Sequence, residues 1–145
     1  MLATVFPAPA SSRLDIDEAQ RATSRHATKC QRVVRQLRNR SSTRPVSLRK
    51  QAVSHLVLKP RDKRHSDDKI DVSDLNEILA IDPKTLTCTA EPGVTFTELV
   101  DATLRYGLAP IIVPELRTIT IGGAVAGCSL ESMSFRSEEH TSERV

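Results

Sequence analysis

Residues 113–131 read V-P-E-L-R-T-I-T-I-G-G-A-V-A-G-C-S-L-E and carry most of what looks chemical in this chain. Ile119 to Ile121 has the apolar, β-branched character of a strand. It leads directly into Gly122 and Gly123 and then into the small residues Ala124, Ala126 and Gly127. Without Cβ atoms, adjacent glycines are free to take φ > 0 and to turn their N–H groups on a ligand, which is how diphosphates are held. The same two glycines would equally permit close packing against another part of the chain.

Little else offers a reaction centre. Cys30, Cys88 and Cys128 are far apart and odd in number, which favours reduced thiols in an intracellular protein over a disulfide framework. Cys128, beside the glycines, reads as a small core residue rather than a reactive thiol. His26, His55, His65 and His140 lack metal-ligand spacing, so no metal site is expected. There is no G-x-G-x-x-G after a strand and no Walker A motif.

The elements that must position the glycine segment can be read from period and punctuation. A helix is expected from Ala19 to Asn39, with Ala27, Cys30, Val33, Val34 and Leu37 at helical spacing and arginines mostly opposite. R-S-S-T-R-P, from Arg40, breaks it. Short strands are expected at Val46 to Leu48, His55 to Leu58, Ile70 to Val72, Ile78 to Ile81 and Leu86 to Ala90, with Asp82-Pro83-Lys84 as a turn. Glu91-Pro92-Gly93 ends the last of these. Thr95 and Glu98 then form an S/T-x-x-E capping box for a helix bearing Phe96, Leu99, Val100, Thr103 and Leu104 on one face, with Gly107 past its end. Leu108 to Val113 reads as a buried strand closed by Pro114. This order is an α+β arrangement.

Composition sets bounds. The chain has 145 residues, 39% of them hydrophobic, enough for one domain with a modest core. Only Phe6, Phe96, Tyr106 and Phe135 are aromatic, and Trp is absent. Charge is segregated: residues 1–69 hold 16 Lys+Arg against 6 Asp+Glu, net +10, and residues 70–145 hold 5 against 12, net −7. A basic first half could meet an anionic partner. Nucleic acid is disfavoured, because the arginines are scattered and few aromatic rings are present to stack on bases. No apolar run is long enough to span a membrane, and the start of the chain is a poor secretory signal. The Arg- and Ser-rich stretch up to Thr43 vaguely suggests an organelle transit peptide, against which Asp15, Asp17 and Glu18 count. An intracellular location, cytoplasmic or membrane-associated, is expected.

From Pro45 to Phe135 the chain resembles the PCMH-type FAD-binding domain of the vanillyl-alcohol-oxidase superfamily, with its nearest likeness in the Diminuto-like, delta(24)-sterol reductase branch. The residues carrying the match are P-V-S-L-R-K from Pro45, D-V-S-D-L-N-E-I-L-A-I-D from Asp71, A-E-P-G-V-T from Ala90, V-P-E-L from Val113, T-I-G-G-A-V-A-G from Thr120 and E-S-M-S from Glu131. The resemblance implies FAD as cofactor and a flavin-dependent oxidoreductase, in the sterol-reductase branch one that reduces a C=C bond in a sterol-like or other apolar substrate, with membrane association in the full enzyme. It implies that Val113, Pro114, Glu115, Leu116, Thr118, Ile119, Thr120, Ile121, Gly122, Gly123, Ala124 and Val125 line the flavin. Gly122 and Gly123 would approach most closely through their backbones, and Thr118 and Thr120 could offer hydroxyls. Where many relatives have a glycine-rich loop, this chain has S-L-R-K-Q-A-V-S-H, with Arg49 and Lys50 as candidate phosphate counter-charges. His55 reads as a strand histidine rather than a flavin attachment point, and Glu131 as a turn or surface carboxylate.

The resulting organisation is a disordered start over 1–18, a helix and linker over 19–44, a partial PCMH-type domain over 45–135 and a tail over 136–145 foreign to the family. Arg136 to Glu143 resembles a translated sequencing adapter, so the tail is expected to be artefactual and the chain to be an enzyme fragment without its substrate domain, inactive alone and holding FAD weakly or not at all. The alternative is a small, basic, non-enzymatic module for an anionic partner.

Overall fold

A computed structural model describes residues 2–4, 13–51 and 61–127. The expected strand at His55 to Leu58 and the residues Cys128, Glu131 and Phe135, with the tail beyond, lie outside the described residues.

Helix α1, Arg13–Arg38, is the longest element. Ala19, Ala22, His26, Lys29, Cys30, Val33 and Gln36 recur every three or four positions and, with Arg32, are the buried or half-buried residues of its stretch 17–38. That face packs on strands β3, Asp68–Asp71, and β4, Ile78–Asp82. The helix begins before Ala19, and strand β1, Leu2–Thr4, pairs with β6, Leu108–Pro110, in the register Leu2 to Pro110 and Thr4 to Leu108. Within the stretch expected to be disordered, residues 2–4 thus lie in β1 and residues 13–18 in the first turns of α1.

The described strands form three pairs. β2, Val46–Arg49, runs parallel to β3. β4 and β5, Thr87–Ala90, form an antiparallel hairpin with an irregularity between Ile78 and Ala80. At its turn the Asp82 carboxylate accepts from the Lys84 N–H at 2.8 Å and the Thr85 N–H at 3.3 Å, and Leu86 takes φ 56° to close the loop. β1 and β6 make the third pair.

Helix α2, Phe96–Leu104, has the expected capping box: the Thr95 hydroxyl accepts from the Glu98 N–H, and the Glu98 carboxylate accepts from the Thr95 N–H. Gly107 follows with φ 68°, the left-handed conformation that ends a helix at least cost in a residue without Cβ. Ala22, Ile70, Leu75, Val94, Leu99 and Leu108 are the buried apolar residues, and Glu91 and Thr103 are buried among them.

Two expectations fail around the glycines. The strand at Leu108 to Val113 stops at Pro110, whose nitrogen has no hydrogen for a ladder, and the chain loops from there. Ile119 to Ile121 is not a strand. It makes one bridge, Thr95 to Thr120, and then Ile121 opens the short helix α3, Ile121–Ala126. The Thr120 hydroxyl decides this by accepting from the Gly123 N–H at 3.2 Å as an N-cap.

Candidate functional site

The glycine segment is clamped to the Glu91-Pro92-Gly93 turn and to the start of α2. The Gly122 N–H donates to the Pro92 carbonyl at 2.8 Å and the Ile121 N–H to the Val94 carbonyl at 2.8 Å. The Phe96 N–H donates to the Ile119 carbonyl at 3.0 Å, and the Thr97 N–H to the Arg117 carbonyl at 3.0 Å. A Cβ at Gly122 would lie 2.6 Å from Pro92 Cβ and 3.0 Å from the Pro92 carbonyl oxygen, so only glycine fits without movement of the backbone. Gly93 is held the same way: its N–H donates to the Leu75 carbonyl at 2.7 Å, and a Cβ there would meet that oxygen at 2.4 Å.

These bonds correct one expectation. Neither Gly122 nor Gly123 has φ > 0, and neither N–H is free for a phosphate, because Pro92 takes the first and Thr120 the second. The Thr120 hydroxyl is likewise engaged as a cap. The close approach read from the sequence is real at Gly122, but what approaches is Pro92.

The rest of the segment faces outward. Val113, Leu116 and Val125 are exposed, Leu116 to 55%, and Ile111 lies exposed just before them. Glu115 and Thr118 are exposed, Pro114 is buried, and Ile119, Thr120, Ile121, Gly122, Gly123 and Ala124 are half-buried. A Cβ at Gly123 would meet only its own turn, Thr120 Oγ1 at 3.0 Å and Ile119 Cγ2 at 3.9 Å. These exposed apolar side chains suit a flat, largely apolar ligand; the bonded N–H groups of Gly122 and Gly123 do not supply a diphosphate's donors. Arg49 and Lys50 are exposed at the end of β2, with Arg49 Nε 3.9 Å from Asp71 Oδ2. No hydrogen bond or ion pair among the described residues joins them to 113–125.

A second cluster was not legible as a site. The Glu91 side chain has no exposed surface. It accepts from Lys29 Nζ at 2.9 Å, from His26 at 2.9 Å and from the Glu77 N–H at 2.7 Å. Glu77 in turn meets Lys29 at 3.0 Å and Arg25 at 2.9 Å. Burial works to raise the Glu91 carboxyl, but the His26 bond, the backbone bond at Glu77 and Lys29 outweigh it and hold the group below its ordinary 4.5. Glu77 is held below the ordinary value by its hydrogen bonds to Arg25 and Lys29. Burial works against the Lys29 charge, yet the bonds to Glu91 and Glu77 hold the amine above its ordinary value. Further along, Arg32 pairs with Asp74, and Arg40 with Asp68 at 3.1 Å. The only sequence signal for Glu91 was its place before Pro-Gly, which reads as a strand breaker.

A cleft of about 190 Å³ between α1 and the hairpin, lined by Ala19, Ala22, Ile78, Leu79, Ile81 and Tyr106, includes none of residues 113–125. Among the described residues there is no metal-binding cluster, and no helix is long and apolar enough to cross a membrane.

An α+β arrangement with a glycine segment clamped beside a capped helix agrees with a partial flavin domain. Residues 52–142 match the family model described as FAD binding domain, more than half of the chain, and the protein belongs to that family; its cofactor is FAD. The match runs past Phe135, where the likeness read from the sequence ended. The chain is 40% identical over 68 residues to the delta(24)-sterol reductase homolog dhcr-24 of Caenorhabditis elegans, covering 47% of this chain and 13% of that protein. It is 35% identical over 68 residues to decaprenylphosphoryl-beta-D-ribose oxidase of Mycolicibacterium smegmatis, covering 47% and 15%. It is 28% identical over 114 residues to delta(24)-sterol reductase of Pisum sativum, covering 77% and 20%. The chain thus spans a fifth or less of the length of these relatives. No solved structure matches it.

Proposed function

We propose that this chain provides one wall of the FAD site of a flavin-dependent oxidoreductase whose substrate is sterol-like or otherwise apolar. The observation that carries the reading is that Val113, Leu116 and Val125 are exposed in the segment that also holds Gly123, in a chain of the FAD-binding family. The names of the sterol reductases among its relatives support the substrate class. FAD, when bound, supplies hydride transfer; the protein supplies position and electrostatics.

In this reading Val113, Leu116 and Val125 bury the flavin's apolar surface and exclude water from it. Gly123 allows the cofactor to approach the backbone, and the Thr118 hydroxyl is available as donor or acceptor. Pro114, Glu115, Ile119, Thr120, Ile121, Gly122 and Ala124 hold this wall in shape. Arg49 and Lys50 are assigned to the phosphates as counter-charges, a role supported by their exposure. The protein works inside the cell, in the cytoplasm or at a membrane surface, in keeping with its unpaired Cys30 and Cys88.

FAD titrated into the chain, followed by flavin fluorescence, tests this. Weak but saturable binding is expected, with Leu116→Ser weakening it about fivefold to tenfold, the loss of part of one leucine's burial. An unchanged affinity in Leu116→Ser would overturn the assignment of this wall.

A further inference from the structure

Of the carboxylates in the described ion pairs, Glu91 alone has a side chain with no exposed surface, and the proposed flavin wall does not include it. A buried charge is costly to keep, and an apolar side chain of similar size would fill the same space at less cost. What the charge supplies is a fixed place. Lys29 Nζ lies 2.9 Å from Glu91 Oε2, and His26 Nδ1 lies 2.9 Å from Oε1, so α1 pins both carboxylate oxygens. Among the described residues these are the only hydrogen bonds or ion pairs between α1 and residues 91–94. The turn's backbone anchors, Glu91 N–H to the Glu77 carbonyl at 2.9 Å and Gly93 N–H to the Leu75 carbonyl at 2.7 Å, do not involve α1.

Residues 91–94 form one closed turn. The Val94 N–H donates to the Glu91 carbonyl at 3.1 Å. The Pro92 ring locks one of the few torsions between the Glu91 side chain and the Pro92 carbonyl. The carbonyls of Pro92 and Val94, both in this turn, accept the Gly122 and Ile121 N–H groups at 2.8 Å. A shift of the Glu91 carboxylate therefore carries both acceptors with it.

We propose that Glu91 is a positioning residue for the flavin wall. It fixes residues 91–94 against α1 and, through the Pro92 and Val94 carbonyls, sets where Ile121, Gly122 and Gly123 stand. The proposal rests on the reading of residues 113–125 as that wall. Glu91 acts through the turn and needs no contact with the cofactor.

Amide hydrogen exchange of the full chain, followed residue by residue in low denaturant, tests this without FAD. The Glu77 N–H is bonded to the Glu91 carboxylate and reports on it, and the Gly122 N–H reports on the clamp. The Leu99 N–H, bonded to the Thr95 carbonyl in α2, is the reference. The expected result is one opening shared by Glu77 and Gly122 that leaves Leu99 protected. In Glu91→Gln the Gly122 amide should exchange about tenfold faster relative to Leu99, the loss of charge-assisted bonds. Lys29→Met should speed Gly122 in the wild-type background and add little in Glu91→Gln, because both act through one contact. Separate openings of Glu77 and Gly122 in the wild type, or one opening that also takes Leu99, would overturn the proposal. So would a Gly122 rate, relative to Leu99, that Glu91→Gln leaves unchanged. The wild-type readouts hold whether or not the variants fold. The Leu116→Ser titration judges the wall separately, so an exchange result against Glu91 leaves the wall standing and a failed wall leaves the measured clamp.

Discussion

On the α1 side of the molecule, contact is made by charge. Arg25, Lys29, Arg32 and Arg40 meet Glu77, Glu91, Asp74 and Asp68. On the glycine side, contact is made mainly by backbone: the links from 92–97 to 117–122 are N–H to carbonyl bonds, a proline set against a glycine, and one side-chain bond from the Thr97 hydroxyl to the Arg117 carbonyl. The two sides join at consecutive residues. The Glu91 side chain is gripped by α1, and the next carbonyl, that of Pro92, grips Gly122. The comparison teaches that four basic residues of the first half, Arg25, Lys29, Arg32 and Arg40, have anionic partners within the same molecule. The cations that a separate anionic partner would engage on this face of α1 are already paired. It also teaches that the cofactor segment is shaped by the absence of a side chain and the scaffold behind it by the presence of several.

The sharpest way to break that comparison is Glu91→Ala, which should reach both sides. Removing a buried carboxylate with three donors leaves Lys29 and the Glu77 N–H without it and should cost about 3 kcal/mol, read by denaturant unfolding. Gly122→Ala should cost about 1–3 kcal/mol, because the new Cβ meets Pro92 backbone atoms that cannot swing aside. Thr120→Ala should cost about 1 kcal/mol through loss of the α3 cap. Acid should loosen the charged side first. Glu77 and Glu91 are held below their ordinary 4.5, so they stabilise the fold above that value and the stability is lost as pH falls through their lower folded values. A melting series below pH 4.5 should therefore show a falling limb that Glu77→Gln makes shallower. Arg32→Ala, at a partly exposed pair, should change stability by less than about 1 kcal/mol.

What was legible in the sequence follows from which interactions are local. The capping box at Thr95 and Glu98 and the terminating Gly107 depend on residues within a turn of one another, and both stand as read. The β4–β5 hairpin declared itself by alternation and by Asp82-Pro83. Thr120 was misread because I-T-I has strand character, while its role is set by the N–H of a glycine three residues on. The glycines announced a close approach but could not say to what; Pro92 is 30 residues away. Glu91 and its partners on α1 are more than 60 residues apart, and nothing in the spacing of either segment encodes that meeting. The segregated charge was visible as an asymmetry, and only the packing of α1 on β3 and β4 shows that Arg25, Lys29 and Arg32 meet carboxylates of the second half.

The central claim is that the adjacent glycines have different jobs, Gly122 packing on the Pro92 backbone and Gly123 touching only side chains of its own turn. Thermal melts of Gly122→Ala and Gly123→Ala, side by side, test it most directly. The account predicts a clear loss of stability in Gly122→Ala and a smaller one in Gly123→Ala, whose Cβ meets no backbone of another segment, only the Thr120 hydroxyl at 3.0 Å and Ile119 Cγ2 at 3.9 Å. Equal melts for the two variants, or a loss confined to Gly123→Ala, would contradict it.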